Sequence, residues 1–172
     1  MAEEEKQEEP KKGFLSRLKE RLSRTKEGVV TKVKNLVALR GRCYEQEAVP
    51  YKAFDGMADD LSRYLVRQSK PDTAVLLPLR AFLLPRLFRV LQRVEVIAMA
   101  PTEADLPDPQ QLRLRMYTAF RELLLRLAQR RPLLLVIDDL QWTDADSLTL
   151  LQEVLGHADA PGCLDELQLG LL

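Results

Sequence analysis

The stretch RPLLLVIDDLQWTDADSLTLLQEVL, residues 131–155, decides how this chain is read. Leu133 to Ile137 form an unbroken apolar run after Pro132. Such a run, preceded by a helix, predicts a parallel strand covered on both faces. Asp138 and Asp139 stand at its carboxyl end. Thr143 is a candidate N-cap with Asp146 three residues on. Leu148, Leu151, Val154 and Leu155 then recur at helical spacing, and Gly156 suits a C-terminal cap. In open α/β sheets, ligands sit beyond the carboxyl ends of the strands. An acid there can hold Mg²⁺ through water beside a nucleotide's phosphates, and a second can orient or deprotonate an attacking water. The other reading of an apolar run followed by two acids is a strand end whose acids cap a turn.

The elements before this stretch support an alternating α/β order. Asp108-Pro109 is a helix start, with Asp as N-cap and Pro in the first turn. The helix is expected to run to about Arg130 on the stripe Leu112, Met116, Phe120, Leu123, Leu124 and Leu127. Residues 100–109 hold three prolines and read as a loop. Residues 74–94 are Leu-rich, and Pro78 and Pro85 divide them into two short helical pieces. After Pro50, one helix face gathers Phe54, Met57, Ala58, Leu61, Tyr64 and Leu65, with Asp55, Asp59 and Asp60 pointing away. Residues 36–40 (LVALR) read as a short strand followed by Gly41. Upstream, Leu15, Leu18, Leu22, Val29, Val33 and Leu36 form an apolar stripe among Lys and Arg, interrupted by Thr25 and weakened at Gly28.

Composition sets the outer limits. The chain has 172 residues, 46% apolar and 30% charged, which is enough for one packed domain or a small domain with an extension. Residues 1–12 have the charge and low hydrophobicity of a disordered tip. The acidic start lacks an apolar core segment, so no secretory signal is expected, and no run approaches the ~20 apolar residues of a membrane span. Cys43, Cys163 and the single His157 predict neither a disulfide framework nor a zinc site, and a cytoplasmic location fits. The zero net charge is uneven. Residues 132–172 carry eight acids and no Lys or Arg, leaving a net of +8 in residues 1–131. Residues 11–34 alone hold nine bases against Glu20 and Glu27.

Residues 131–155 resemble the Walker B region of STAND-type AAA ATPases, signal-transduction ATPases of bacterial regulators. LVALRGRCYEQEAVPYKAFDGMADDLSRYL resembles that family's second strand and following helix, and PDPQQLRLRMYTAFRELLLRLAQ resembles the helix leading into Walker B. The likeness spans about residues 37–160, and IDDLQW-x-DADS is its most specific part. It implies Asp138 as the Mg²⁺-associated acid, Asp139 as its catalytic neighbour, and ATP with Mg²⁺ as cofactors. Trp142 would lie past the nucleotide edge or, on the reading we favour, pack beside a helix start. The family's P-loop, G-x-x-x-x-G-K-[ST], cradles phosphates with backbone N–H groups and a lysine. None of the seven glycines here precedes a lysine, and no two are five apart. KKGFLSRLKERLSRTKEGVVTKV instead resembles the start of the N domain of the signal recognition particle receptor. Together the two likenesses imply a chain joined near residue 36.

The expected fold is therefore helix-rich α/β: an incomplete P-loop NTPase (AAA-like) core with two parallel strands, preceded by a basic amphipathic helix. The expected organisation is a tip at 1–12, a basic helix at 13–36, a partial ATPase domain at 37–160 and a tail at 161–172. The expected function is a signalling ATPase module that does not hydrolyse ATP alone. The alternative is a membrane-surface or protein-binding adaptor acting through residues 11–37, since a basic amphipathic helix can lie on anionic lipid. A protein partner completing the sheet is expected. Nucleic acid is not, because the acidic C-terminal part repels phosphates. Arg40 and Arg42 can reach a phosphate, against the simpler reading of exposed charges at a strand end.

Overall fold

The structure, a computed structural model, describes residues 36–45, 49–102 and 108–155, and the backbone of Leu167–Leu171. The acidic tip, the basic helix before Leu36, Gly156, His157 and Cys163 lie outside the described residues. The chain divides into units after Asn35.

Both expected strands form and pair in parallel. β1 (Val37–Arg42) runs beside β2 (Leu133–Asp138), with Val37 opposite Leu133 and Arg42 opposite Asp138. A third strand, β3 (Leu167–Leu171), lies in parallel on the other side of β2, so β2 is central. This corrects the reading of 161–172 as a tail: LQLGL carries an alternating apolar pattern that suits a strand. The expectation of a strand covered on both faces is also corrected. Leu133, Leu135 and Ile137 are buried, whereas Leu134 and Val136 are only half-buried.

The helix α1 (Lys52–Val66) packs on β1 through Ala53, Phe54, Met57, Ala58, Leu61 and Leu65. Its approach is unusually close. A Cβ on Gly41 would lie 1.7 Å from the Ala53 carbonyl oxygen, and one on Gly56 would lie 2.4 Å from that of Arg40. The Arg40 amide donates to the Asp60 carboxylate at 3.0 Å. The helix thus covers the outer edge of β1, a strand edge that otherwise presents unpaired backbone groups. Asp60, expected to face away, has this backbone partner because the helix lies along the edge of the strand.

The Leu-rich segment is more broken than expected. α2 (Lys70–Leu76) is capped by Ser69, whose hydroxyl accepts from the Asp72 amide. A 3₁₀ turn (Ala81–Leu83), α3 (Leu84–Leu87), a second 3₁₀ turn (Arg89–Arg93) and α4 (Glu95–Ala98) follow. α5 (Pro109–Ala128) starts as expected, with Asp108 accepting from the Gln110 and Gln111 amides at 2.9 and 3.3 Å. Its buried side chains include Tyr117, Phe120, Leu123, Leu124 and Leu127. Phe54, Phe88 and Phe120 meet in one aromatic cluster with Tyr51 and Tyr117, in tilted and edge-on pairs.

α6 (Ala145–Leu155) completes the described helices. It buries Ser147, Leu150, Leu151 and Val154, while Leu148, expected inside, is 42% exposed. Among the described residues, no helix is long and apolar enough to cross a membrane.

Candidate functional site

The carboxyl ends of β1 and β2 bring the candidate residues together. Asp138 ends β2 with an exposed side chain, opposite Arg42 in the ladder. Asp139 then turns the chain with φ 58° and ψ 41°, a left-handed conformation that Asp tolerates better than most residues. This turn sends the two acids in different directions. Asp139 accepts a hydrogen bond from Arg42 Nε at 3.0 Å, and that bond, seconded by the carboxylate's charge, raises the pKa of the guanidinium. Asp138 lines an open cleft.

Beyond Asp139, a 3₁₀ turn (Leu140–Trp142) leads to α6. Trp142 is 45% exposed, so the packing role favoured for it falls instead to Leu140, which lies against the core. The N-cap is Asp144, not Thr143. Asp144 Oδ1 accepts from the Ser147 amide at 2.8 Å, and Oδ2 accepts from the Ser147 hydroxyl. The same carboxylate accepts from the Tyr51 amide at 3.2 Å and the Lys52 amide at 3.3 Å. Ser147 Oγ accepts from the Ala53 amide at 3.3 Å. One acid therefore caps both α6 and α1, satisfying donors that helix starts leave open. Burial pushes the Asp144 pKa up, but the Ser147 hydroxyl and amide and the Tyr51 amide outweigh it and hold the carboxyl below its ordinary value.

The cleft has a volume of about 340 Å³. Gly41, Gly56 and Val136 line it together with five charged side chains, Arg40, Arg42, Lys52, Asp55 and Asp138, and with Tyr44. Arg42 and Lys52 lie 5.4 and 5.8 Å from the Tyr44 ring centre. Lys52 Nζ is 3.8 Å from Asp55, and burial pushes the Asp55 pKa up. Cys43, the residue after β1, is buried and free. Burial pushes its thiol up against a lowering hydrogen bond from Thr143, which leaves it an unreactive thiol rather than a nucleophile.

Of the residues singled out in the sequence, Asp138, Asp139, Arg40 and Arg42 do converge on one end of the sheet. Tyr44, Lys52 and the double cap at Asp144 were missed. The Asp144 cap depends on packing between segments some 90 residues apart, to which no local pattern points, whereas Tyr44 and Lys52 meet across a short loop that carries no motif.

Among the described residues, no group of three or more His, Cys, Asp or Glu side chains could hold a metal ion. A single carboxylate such as Asp138 nevertheless suits a Mg²⁺ that phosphates bring with them, since such ions keep most of their water and take one or two protein carboxylates. Comparison with known proteins gives one result: a family model described as AAA ATPase domain matches residues 14–164. No curated protein and no solved structure matches the chain.

Proposed function

The chain belongs to the AAA ATPase domain family, and from that premise we propose that it is a STAND-type signalling ATPase module without a P-loop that does not hydrolyse ATP alone. The observation that carries the reading is the acid pair at the carboxyl end of the central strand, Asp138 in the cleft and Asp139 beside it. The run IDDLQW-x-DADS supports the subtype. Asp138 would hold Mg²⁺ that arrives with ATP, where the metal supplies charge neutralisation. Asp139 is the candidate acid for orienting water, and its ion pair with Arg42 engages the carboxylate that this step needs. No lysine follows any of the glycines, so the chain has no P-loop lysine to neutralise the phosphates. Those two features together support an inactive isolated chain.

A protein partner that adds strands beside β3 belongs to the same proposal, as does a cytoplasmic location. Among the described residues, the sheet ends at β3. The test is a Mg-ATP titration of the purified chain, with Asp138→Asn as comparison and phosphate release as a second readout. The expected result is no binding below about 1 mM, a range that corresponds to only a few contacts, and no turnover. Micromolar binding lost in Asp138→Asn, with turnover, would overturn the proposal.

The second reading is an adaptor that works through residues 11–37, related to the signal recognition particle receptor N domain. It rests on the basic apolar stripe of that segment. Flotation with anionic and neutral vesicles separates it from the first. Salt-sensitive binding to anionic vesicles alone would support it, and equal or no binding would remove it.

A further inference from the structure

We propose that the outer side of residues 66–99 is a docking surface for an anionic lipid bilayer. It is separate from residues 11–37 and from the carboxyl end of the sheet, so it goes beyond both readings above. The segment holds six basic residues against two acids, Asp72 and Glu95. Both acids are engaged. Asp72 accepts from the Ser69 hydroxyl at 2.6 Å, and Glu95 pairs with Lys70 at 2.6 Å. Arg86, Arg89 and Arg93 are exposed and make no hydrogen bond or ion pair among the described residues.

The fold puts these arginines on one side. The segment is a layer of short helical pieces packed on α1 and α5. The Thr73 hydroxyl donates to the Leu65 carbonyl, the Ser62 hydroxyl to that of Val90, and the Arg126 guanidinium to that of Leu77. Leu84, Leu87, Phe88, Leu91 and Val94 recur at helical spacing and are buried. Arg86, Arg89 and Arg93 fall between them, three and four residues apart, and share the opposite, outward side. The same layer exposes large apolar side chains away from α1 and α5. Leu79 is 85% exposed and Met99 74%, the two highest values for such side chains among the described residues, and Val75 is 56% exposed. Exposed apolar groups beside unpaired arginines mark an interaction surface. A bilayer takes both kinds of group at once: apolar side chains enter the acyl boundary, and arginine stems lie along it with their guanidinium groups at the phosphates. A nucleic-acid backbone would use the arginines but leave Leu79 and Met99 in water. A protein partner would need a pocket for each projecting side chain, whereas a soft anionic surface needs none.

The experiment is flotation of the full chain at low ionic strength with phosphatidylcholine vesicles, with and without phosphatidylserine. A reporter is introduced by Leu79→Trp together with Trp142→Phe, which removes the chain's own single indole. The expected result is flotation with the phosphatidylserine vesicles alone, with a blue shift of the new indole and quenching by brominated lipid. Arg86→Gln, Arg89→Gln and Arg93→Gln together should weaken partition about tenfold or more, since each arginine near an anionic surface contributes about fivefold. All three side chains are exposed, so the substitutions leave the core intact. Flotation with an unshifted indole, or partition unchanged by the three arginine substitutions, assigns the binding to residues 11–37 and overturns the proposal. Absence of flotation overturns it as well. So does binding of a polyglutamate peptide, lost in the arginine variant, in place of vesicles, which would assign the surface to an acidic protein.

Discussion

Asp144 shows how much one side chain can determine at this end of the molecule. Its two oxygens serve the starts of α1 and α6, which are about 90 residues apart in sequence. A single lost N-cap costs about 0.5–2 kcal/mol, and here two helix starts lose their acceptor at once. Asp144→Ala is therefore expected to lower stability by about 2–3 kcal/mol, read as a fall in the urea midpoint with an unchanged slope. The pH dependence follows from the direction of the shift. The folded pKa lies below the unfolded value, so the contribution is fully present above the ordinary carboxylate range. It is lost as the pH falls through the folded pKa. Asp144→Asn should therefore flatten the fall in stability below about pH 4. An acid limb as steep as the wild type's would show that other carboxylates carry it. The sequence placed the cap at Thr143, one residue early, because Ser, Thr and Asp are all good caps and local pattern does not choose among them.

At the scale of elements, α1 and β1 come together backbone to backbone. Gly41 and Gly56 are the two positions where the helix backbone meets the strand backbone. Gly41→Ala puts a methyl against the Ala53 carbonyl, and Gly56→Ala puts one against that of Arg40. Neither obstacle is a flexible side-chain end that could swing away. Each substitution should destabilise by about 3 kcal/mol or more, with Gly41→Ala the worse, because overpacking a dense interface forces backbone shifts. Thermal melts of both variants beside Ala98→Gly, an exposed position at the end of α4, check this; an ordinary melt for Gly41→Ala would mean that the helix can retreat from the strand. The elements themselves were largely legible. Five apolar residues between Pro132 and Asp138, the Asp108-Pro109 start and the stripe from Phe54 to Leu65 fixed β2, α5 and α1 in place. What was not legible is the contact between them. Gly41 reads in sequence as punctuation after a strand, whereas in the structure it lies inside the strand and sets the helix distance. Arg42 reads as an exposed charge, and only the register that places it opposite Asp138 makes it a partner for Asp139.

At the scale of the molecule, the apolar run ending in the acid pair was read as a parallel strand, and that strand forms, yet the third strand escaped notice. Its five residues follow a segment without pattern, and it lies beyond the part of the chain that matches the family, which ends at residue 164. The ladder shows what it contributes. The Val37 amide donates to the Pro132 carbonyl and the Cys43 amide to that of Asp138, so the even-numbered residues of β2 present their backbone groups to β1. In a parallel strand, successive residues present theirs to opposite sides. Leu135 and Ile137 therefore turn their amides toward β3, while Leu134 and Val136 turn theirs toward β1. A variant ending at residue 160 should show this parity directly. Hydrogen exchange at Leu135 and Ile137 is expected to accelerate by about tenfold or more, as their ladder bonds are lost, with much smaller changes at Leu134 and Val136. Uniform acceleration across all four would mean that β3 supports the whole domain rather than one edge. Protection of Leu135 and Ile137 unchanged by the truncation would mean that β3 does not hold the edge of β2 in solution, leaving that edge open to a partner's strand.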